Sequence, residues 1–224
     1  MNKEIFEIVE NSKKYGWILE HDSKKILNFY NIKTPNSFFI PNIQELEKIK
    51  EKIKFPVVLK VVSPKILHKS DLKGVSVGIT DFDYLNEEFK RLISLNGAIG
   101  VIIEEMVEGV ELIVGAKNDY QFGPVVIVGY GGVGVEIYKD TSMRMAPITN
   151  EDVLAMLKEL KCFPILKGFR GKKGINLNKL TALIVNFSNF IMDFEDFFDS
   201  IDLNPVICNE SEAFVCDARI ILKK

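Results

Sequence analysis

The sequence is poor in the residues that most often announce chemistry: it has two histidines, three cysteines and one tryptophan among 224 residues. Cys162, Cys208 and Cys216 form no close pair and no metal spacing, so they read as buried thiols rather than a disulfide framework or a zinc site. Long apolar runs are missing too. "FPVVLKVV" and "PVVIVGY" fall far short of the about 20 residues that a membrane helix needs, so no membrane span is expected. No long basic run occurs, and 29 basic against 31 acidic residues leave a formal net charge of −2, so nucleic acid is not the expected partner. The N-terminal "MNKEIFEIVENSKKYGW" is charged and lacks the apolar core of a signal peptide, which points to the cytoplasm. There is no internal repeat and no low-complexity linker.

What is present is a large supply of core. Hydrophobic residues make up 47% of the chain, enough for one good core or two small ones. Residues 1–15 read as a short amphipathic helix, and a second helix is expected from Asp22 or Ser23 until "NIKTP" breaks it. Between 37 and 106 the order is β-α-β-β-α-β, a split βαβ arrangement with both helices on one face of a four-stranded sheet. Asn42 caps the first of those helices, with Glu45 three residues on; Leu85, Phe89 and Leu92 form the apolar face of the second. The remainder supplies the strands "VELIVGAK" and "GPVVIVGY", a glycine-rich turn, two helices and a C-terminal pair of strands. The chain therefore reads as an N-terminal helical segment (1–22), a small subdomain (23–104) and a large subdomain (105–224), an α+β protein with a cleft between the two subdomains.

Five features could carry chemistry. Lys60 sits in the apolar strand "FPVVLKVV", where an ammonium must find an anion, reach the sheet edge or lose its charge. A nucleotide phosphate is one such anion. "EEMVEGVE", 104–111, crosses between the subdomains, where extended backbone could meet an adenine edge and Glu111 the ribose hydroxyls; four carboxylates on a solvated turn is the plainer alternative. If "LNPVIC" and "AFVCDARI" form a hairpin around "NESE", antiparallel partners share a constant sum of residue numbers. Asn204 then stands opposite Asp217 on one face, an oxygen pair suited to Mg²⁺. The stretch "GYGGVG" lacks the ending of a P-loop, but Glu136 and Arg144 follow it, and Arg144 could fork onto phosphate. His68, in "LHKSDLKG", lies in the loop after the Lys60 strand, and could either cap backbone or attack phosphorus.

Taken together, "FPVVLKVVSPKILHKSDLKGV", "EEMVEGVELIVGAKNDYQFGPVV", "GYGGVGVEIYKDTSMRMAP" and "DLNPVI…VCDARI" resemble the β subunit of ADP-forming acyl-CoA (acetyl-CoA) synthetases, from about residue 17 to the end. The resemblance implies an ATP-grasp fold with the nucleotide cleft between two α+β subdomains. It implies Lys60 as a phosphate contact, Glu104, Glu105 and Val107 at the adenine hinge, Glu111 on the ribose, and Asn204 and Asp217 as magnesium ligands. His68 matches a histidine that carries a phosphoryl group transiently. Lys73 stands where the family often has the first glycine of a pair, while Gly74, a further phosphate candidate, remains. The implied cofactors are ATP or ADP with Mg²⁺. The implied partner, in a hetero-oligomer, is an α subunit that carries the CoA-binding domains and its own phosphohistidine. A succinate-type CoA ligase β subunit and a non-catalytic ATP-grasp regulatory subunit are the alternatives.

Overall fold

The computed structural model describes residues 2–66, 69, 72–132 and 140–223. The chain folds into two compact units, one formed by residues 35–107 and the other by 1–34 together with 108–224.

In the smaller unit, strands β2 (Ser37–Ile40), β3 (Val57–Val62), β4 (Val75–Ile79) and β5 (Gly100–Glu105) lie in the antiparallel order β2-β5-β3-β4. Helices α3 (Ile43–Ile49) and α4 (Phe82–Ile93) complete the β-α-β-β-α-β order read from the sequence. Both helices start at a capping side chain: Asn42 accepts from the Glu45 N–H at 3.0 Å, and Asp81 from the Tyr84 N–H at 2.9 Å. Leu46, Leu85, Phe89 and Leu92 pack with Val57, Leu59, Val61, Val101 and Ile103 into one buried cluster. Side chains alternate along a strand, so Val58, Lys60 and Val62 of β3 and Ile102 and Glu104 of β5 belong to the other face of the sheet.

The larger unit is built on a seven-stranded antiparallel sheet among the described residues. Strand β1 (Trp17–Ile18) leads a row β1-β11-β9-β6-β7-β8, and β10 pairs separately with β9. The other strands are β6 (Val110–Asp119), β7 (Gly123–Tyr130), β8 (Thr141–Met145), β9 (Phe198–Cys208), β10 (Ala213–Val215) and β11 (Ala218–Leu222). Helices α1 (Lys3–Ser12), α2 (Glu20–Phe29), α5 (Asn150–Glu159), α6 (Phe163–Lys167) and α7 (Leu177–Asp193) all contribute to one core. Its sheet side is Leu112, Val114, Ala116, Val126, Val128, Leu203 and Val206. The α5 start is a full capping box, in which Thr149 and Asp152 satisfy each other's backbone N–H. Along α7, Leu180, Leu183, Ile184, Phe187 and Ile191 are buried, as their spacing implies.

The expected boundaries at 22/23 and 104/105 fall elsewhere. Residues 1–34 belong to the larger unit because Trp17 and Ile18 pair with Ile221 and Ile220, and because Ile5, Val9, Ile26 and Leu27 sink into its core. A two-residue strand has too little alternation to be read from a sequence. Residues 105–107 stay with the smaller unit: Glu105 pairs with Val57, and the Met106 N–H donates to the Pro56 carbonyl at 3.3 Å. Among the described residues, no helix is long and apolar enough to cross a membrane.

Candidate functional site

In the smaller unit, Lys60 is only 6% exposed and Glu104 3%. Lys60 stands opposite Ile102 of β5, so Glu104 is its diagonal neighbour on the same face, and the Lys60 ammonium pairs with the Glu104 carboxylate. The anion that the buried lysine requires is thus supplied in part by its own sheet. The pairing also fixes the direction of the ammonium, which a flexible four-carbon stem would otherwise leave open.

The next residues behave differently. The Glu105 carboxylate accepts from the Asn36 backbone N–H at 3.2 Å and from its side-chain amide at 2.9 Å. The Glu105 N–H donates to the Asn36 carbonyl at 3.0 Å, and the Met106 N–H to Pro56. Both sides of β5 are thereby tied at its end, which leaves Val107 as the last residue of the unit.

In the larger unit, Leu112 and Val114 enter the core, so Glu111 and Ile113 belong to the opposite face of β6, and Glu111 is exposed. The glycine-rich turn comes up against it. The Gly131 N–H donates to the Glu111 carbonyl at 2.8 Å, and a β-carbon on Gly131 would lie 2.8 Å from that same carbonyl group. No residue with a side chain fits there unmoved. Gly131 therefore has a local purpose, a close approach to the backbone that carries Glu111.

The C-terminal strands keep the expected register. Cys208 pairs with Ala213, Val206 with Val215, and beyond the gap Leu203 pairs with Ala218. Asn204 and Asp217 sit between these pairs, and the Asn204 N–H donates to the Asp217 carbonyl at 3.1 Å. Towards β6, Val206 pairs with Leu112 and Leu203 with Val114, so Asn204 and Pro205 together oppose the single residue Ile113. This is a β-bulge, which re-aims side chains and accommodates a proline that cannot donate to the ladder. Leu203 and Ala218 are core residues, so alternation turns Asn204 and Asp217 to the face that bears Glu111. The sequence reading missed the next pair: Asp202 stands opposite Arg219, and their side chains meet at 3.1 Å. The constant sum that aligned Asn204 with Asp217 also aligns these two.

Other expected residues are placed apart. Arg144 shares the helix side of β8 with Ser142, since its partner Val126 is a core residue. Its guanidinium forks onto Glu159 of α5, which holds the Glu159 carboxyl below the usual carboxylate range. The structure therefore does not bring Arg144 together with Glu111, Asn204 and Asp217. The Gly74 N–H is committed to the Lys69 carbonyl at 2.7 Å. His68 and Glu136 lie outside the described residues. The second histidine, His21, is in α2, where burial lowers its pKa from the ordinary value. All three cysteines are buried thiols; burial pushes Cys208 and Cys162 up to about 12. Among the described residues, no group of three or more His, Cys, Asp or Glu converges on a metal position. Asn204 and Asp217 together offer one amide and one carboxylate group, a hard oxygen set that fits a cation completed by water and phosphate.

Comparison with known proteins agrees with this architecture. The family described as an ATP-grasp domain matches residues 10–222. The β subunit of acetate–CoA ligase (ADP-forming) I from Pyrococcus furiosus is 40% identical over 225 residues, covering 96% of this chain and 97% of that one. The ADP-forming acetate–CoA ligase I of Archaeoglobus fulgidus is 38% identical, but there the chain spans only 33% of the relative's length. A dinucleotide-forming acetyl-coenzyme A synthetase 1 from Ca. Korarchaeum cryptofilum superposes with a TM-score of 0.86 at 34% identity, over 98% of this chain and all of that one. That structure contains coenzyme A and Mg-AMPPCP, with its phosphohistidine segment pointing towards the nucleotide-binding site. With matches of this length and identity, the chain belongs to the ATP-grasp family and, within it, to the β subunits of the ADP-forming acetate–CoA ligases.

Proposed function

We propose that this protein is the β subunit of an ADP-forming acyl-CoA ligase, which binds ADP or ATP with Mg²⁺ and relays a phosphoryl group through His68. The complete reaction is acyl-CoA + ADP + phosphate ⇌ carboxylate + CoA + ATP. The observation that carries this reading is the match at 40% identity to a β subunit over 96% of this chain and 97% of that one. The partner is an α subunit that binds CoA and forms its own phosphohistidine, in a hetero-oligomer. The buried thiols suit a reducing cytoplasm.

Each residue has a stated part. Lys60, aligned by Glu104, supplies a fixed positive charge for phosphate oxygens. The backbone at 105–107 meets the adenine edge, and Glu111 accepts from ribose hydroxyls. Asn204 and Asp217 hold Mg²⁺, which when bound offsets the charge of the phosphates. A neutral His68 nitrogen attacks the phosphorus on the partner's phosphohistidine; the N–P bond there breaks as the new one forms. A terminal oxygen of ADP then attacks the same phosphorus, which frees His68 and yields ATP. Positioning and charge neutralisation account for most of the rate in such transfers.

Incubation with γ-³²P-labelled ATP and Mg²⁺ tests the relay. The protein should take up an acid-labile label, and His68→Ala should take up none while still binding ADP. Undiminished turnover by His68→Ala in a reconstituted complex would remove the relay and leave direct transfer from the partner's phosphohistidine to bound ADP as the better account.

A further inference from the structure

The face of the larger sheet that bears Glu111 carries one more charged pair. Ile201, Leu203, Ala218 and Ile220 are core residues, so Asp202 and Arg219, which stand between them, share the opposite face with Glu111, Asn204 and Asp217. The Arg219 guanidinium meets the Asp202 carboxylate at 3.1 Å, and neither side chain is buried: they are 27% and 44% exposed. An exposed pair of this kind contributes little to stability, so the fold by itself does not call for an arginine at this place.

The strand register fixes where the pair lies. Glu111 pairs with Ile207 of β9; Asn204 comes three residues along that strand, and Asp202, flanked by Gly115 of β6 and Arg219 of β11, two residues after that. At about 3.3 Å per residue, these levels are about 10 Å and then about 7 Å apart. A nucleotide with its ribose at Glu111 and its phosphates at a cation on Asn204 and Asp217 runs along β9 in this direction. Its terminal phosphate then points to the level of Asp202 and Arg219. Gly115 puts no side chain over the sheet beside Asp202, so the face is open there. Glu111, Asp202 and Asp217 also place three carboxylates on a face that has to receive an anion. Among the described residues of β6, β9 and β11, the cations on that face are Arg219 and Lys117. Lys117 stands further out, opposite Ser200, and is bonded to Asp199 at 2.6 Å.

We infer that Arg219 contacts the phosphoryl group in transfer, with Asp202 holding its guanidinium in place. This rests on the reading of Glu111, Asn204 and Asp217 as nucleotide and magnesium residues. A guanidinium presents its N–H donors in a planar fork that matches phosphate oxygens. Its charge counts most there, because negative charge spreads over the equatorial oxygens as phosphorus passes from one nucleophile to the other. Arg219 gives up no proton in the step; the bonds that break and form are those from phosphorus to its donor and its acceptor.

The experiment is calorimetry of the full chain with Mg²⁺ and either ADP or AMPPCP, whose third phosphate stands for the transferred group but cannot be passed on. Arg219→Ala should weaken AMPPCP binding about tenfold, the scale of one hydrogen bond between charged groups, and ADP binding by less than about twofold. Arg219→Lys, which keeps the charge without the fork and serves should Arg219→Ala fold poorly, should lose less AMPPCP affinity and again spare ADP. The urea midpoints of both variants should stay close to that of the wild type, so that a lost contact is not confused with a lost fold. Equal weakening of ADP and AMPPCP would overturn the inference, and so would full AMPPCP affinity in Arg219→Ala. A wild-type protein that bound neither nucleotide would instead sink the nucleotide reading, and this inference with it.

Discussion

The faces that bear Lys60 and Glu111 treat charge in opposite ways. On the smaller unit, Lys60 and Glu104 are 6% and 3% exposed and pair with each other. On the larger unit, Glu111 and Asn204 are exposed, and a bulge and a tight glycine turn present them. The first arrangement makes a charge part of the fold; the second leaves oxygen atoms open to a ligand. Mutation should therefore separate the two, with loss of stability on one face and loss of binding on the other.

Lys60→Ala gives the largest effect. It strands the Glu104 carboxylate in a buried site, which costs about 3–5 kcal/mol. Urea unfolding should show it as a lowered midpoint. A double variant, Lys60→Met with Glu104→Leu, should recover most of that stability, since an apolar pair of similar volume replaces both charges. It should not recover ADP binding. Glu111→Ala supplies the contrast: its unfolding midpoint should move by no more than about 0.5 kcal/mol, while ADP affinity falls about tenfold. If Lys60→Ala and Glu111→Ala lost stability alike, the division between the faces would be wrong.

Gly131→Ala is intermediate and bridges the two behaviours. The added β-carbon meets backbone, not a side chain that could swing aside: it would lie 2.8 Å from the Glu111 carbonyl carbon and oxygen and 2.9 Å from the Leu112 nitrogen. Overpacking of this kind costs about 1–3 kcal/mol. The strain falls on the segment that positions Glu111, so ADP affinity should drop together with stability. A loss of stability with full affinity would mean that the turn serves the fold alone.

Much of this was legible in the sequence because the strongest signals were local. The β-α-β-β-α-β order followed from alternation and capping residues, and the Asn204–Asp217 alignment from an assumed hairpin around "NESE" with a constant sum. What stayed hidden depended on tertiary contact. Trp17–Ile18 is a strand only because β11 offers it an edge. Placing the start of α2 at Asp22 or Ser23 left Glu20 outside the helix and concealed its buried pairing with Lys24 at 2.8 Å. Gly131 looked like a failed phosphate loop, since nothing local shows that another strand's backbone lies against it. For Lys60 the need for an anion was evident, but its identity depended on which residue of β5 stood diagonally across.

The smallest effect belongs to Arg144, and it tests a sequence expectation directly. Read from "DTSMRMAP", its guanidinium was a candidate for phosphate; in the fold it lies on the helix side of β8 and pairs with Glu159. Arg144→Ala should leave ADP affinity unchanged and shift the melting temperature only slightly at neutral pH, because exposed ion pairs contribute little. The sign of the pH dependence follows from the carboxyl. Hydrogen bonds from Arg144 first, and then from Ser142, hold Glu159 below its usual range. The pair's contribution is thus fully present above the ordinary carboxylate pKa, and it is lost as pH falls through the depressed folded value. Wild-type and Arg144→Ala melting curves should therefore differ at pH 7 and converge in acid. A difference that persisted unchanged into acid would show that Arg144 acts by packing, and a fall in ADP affinity would return it to the phosphate.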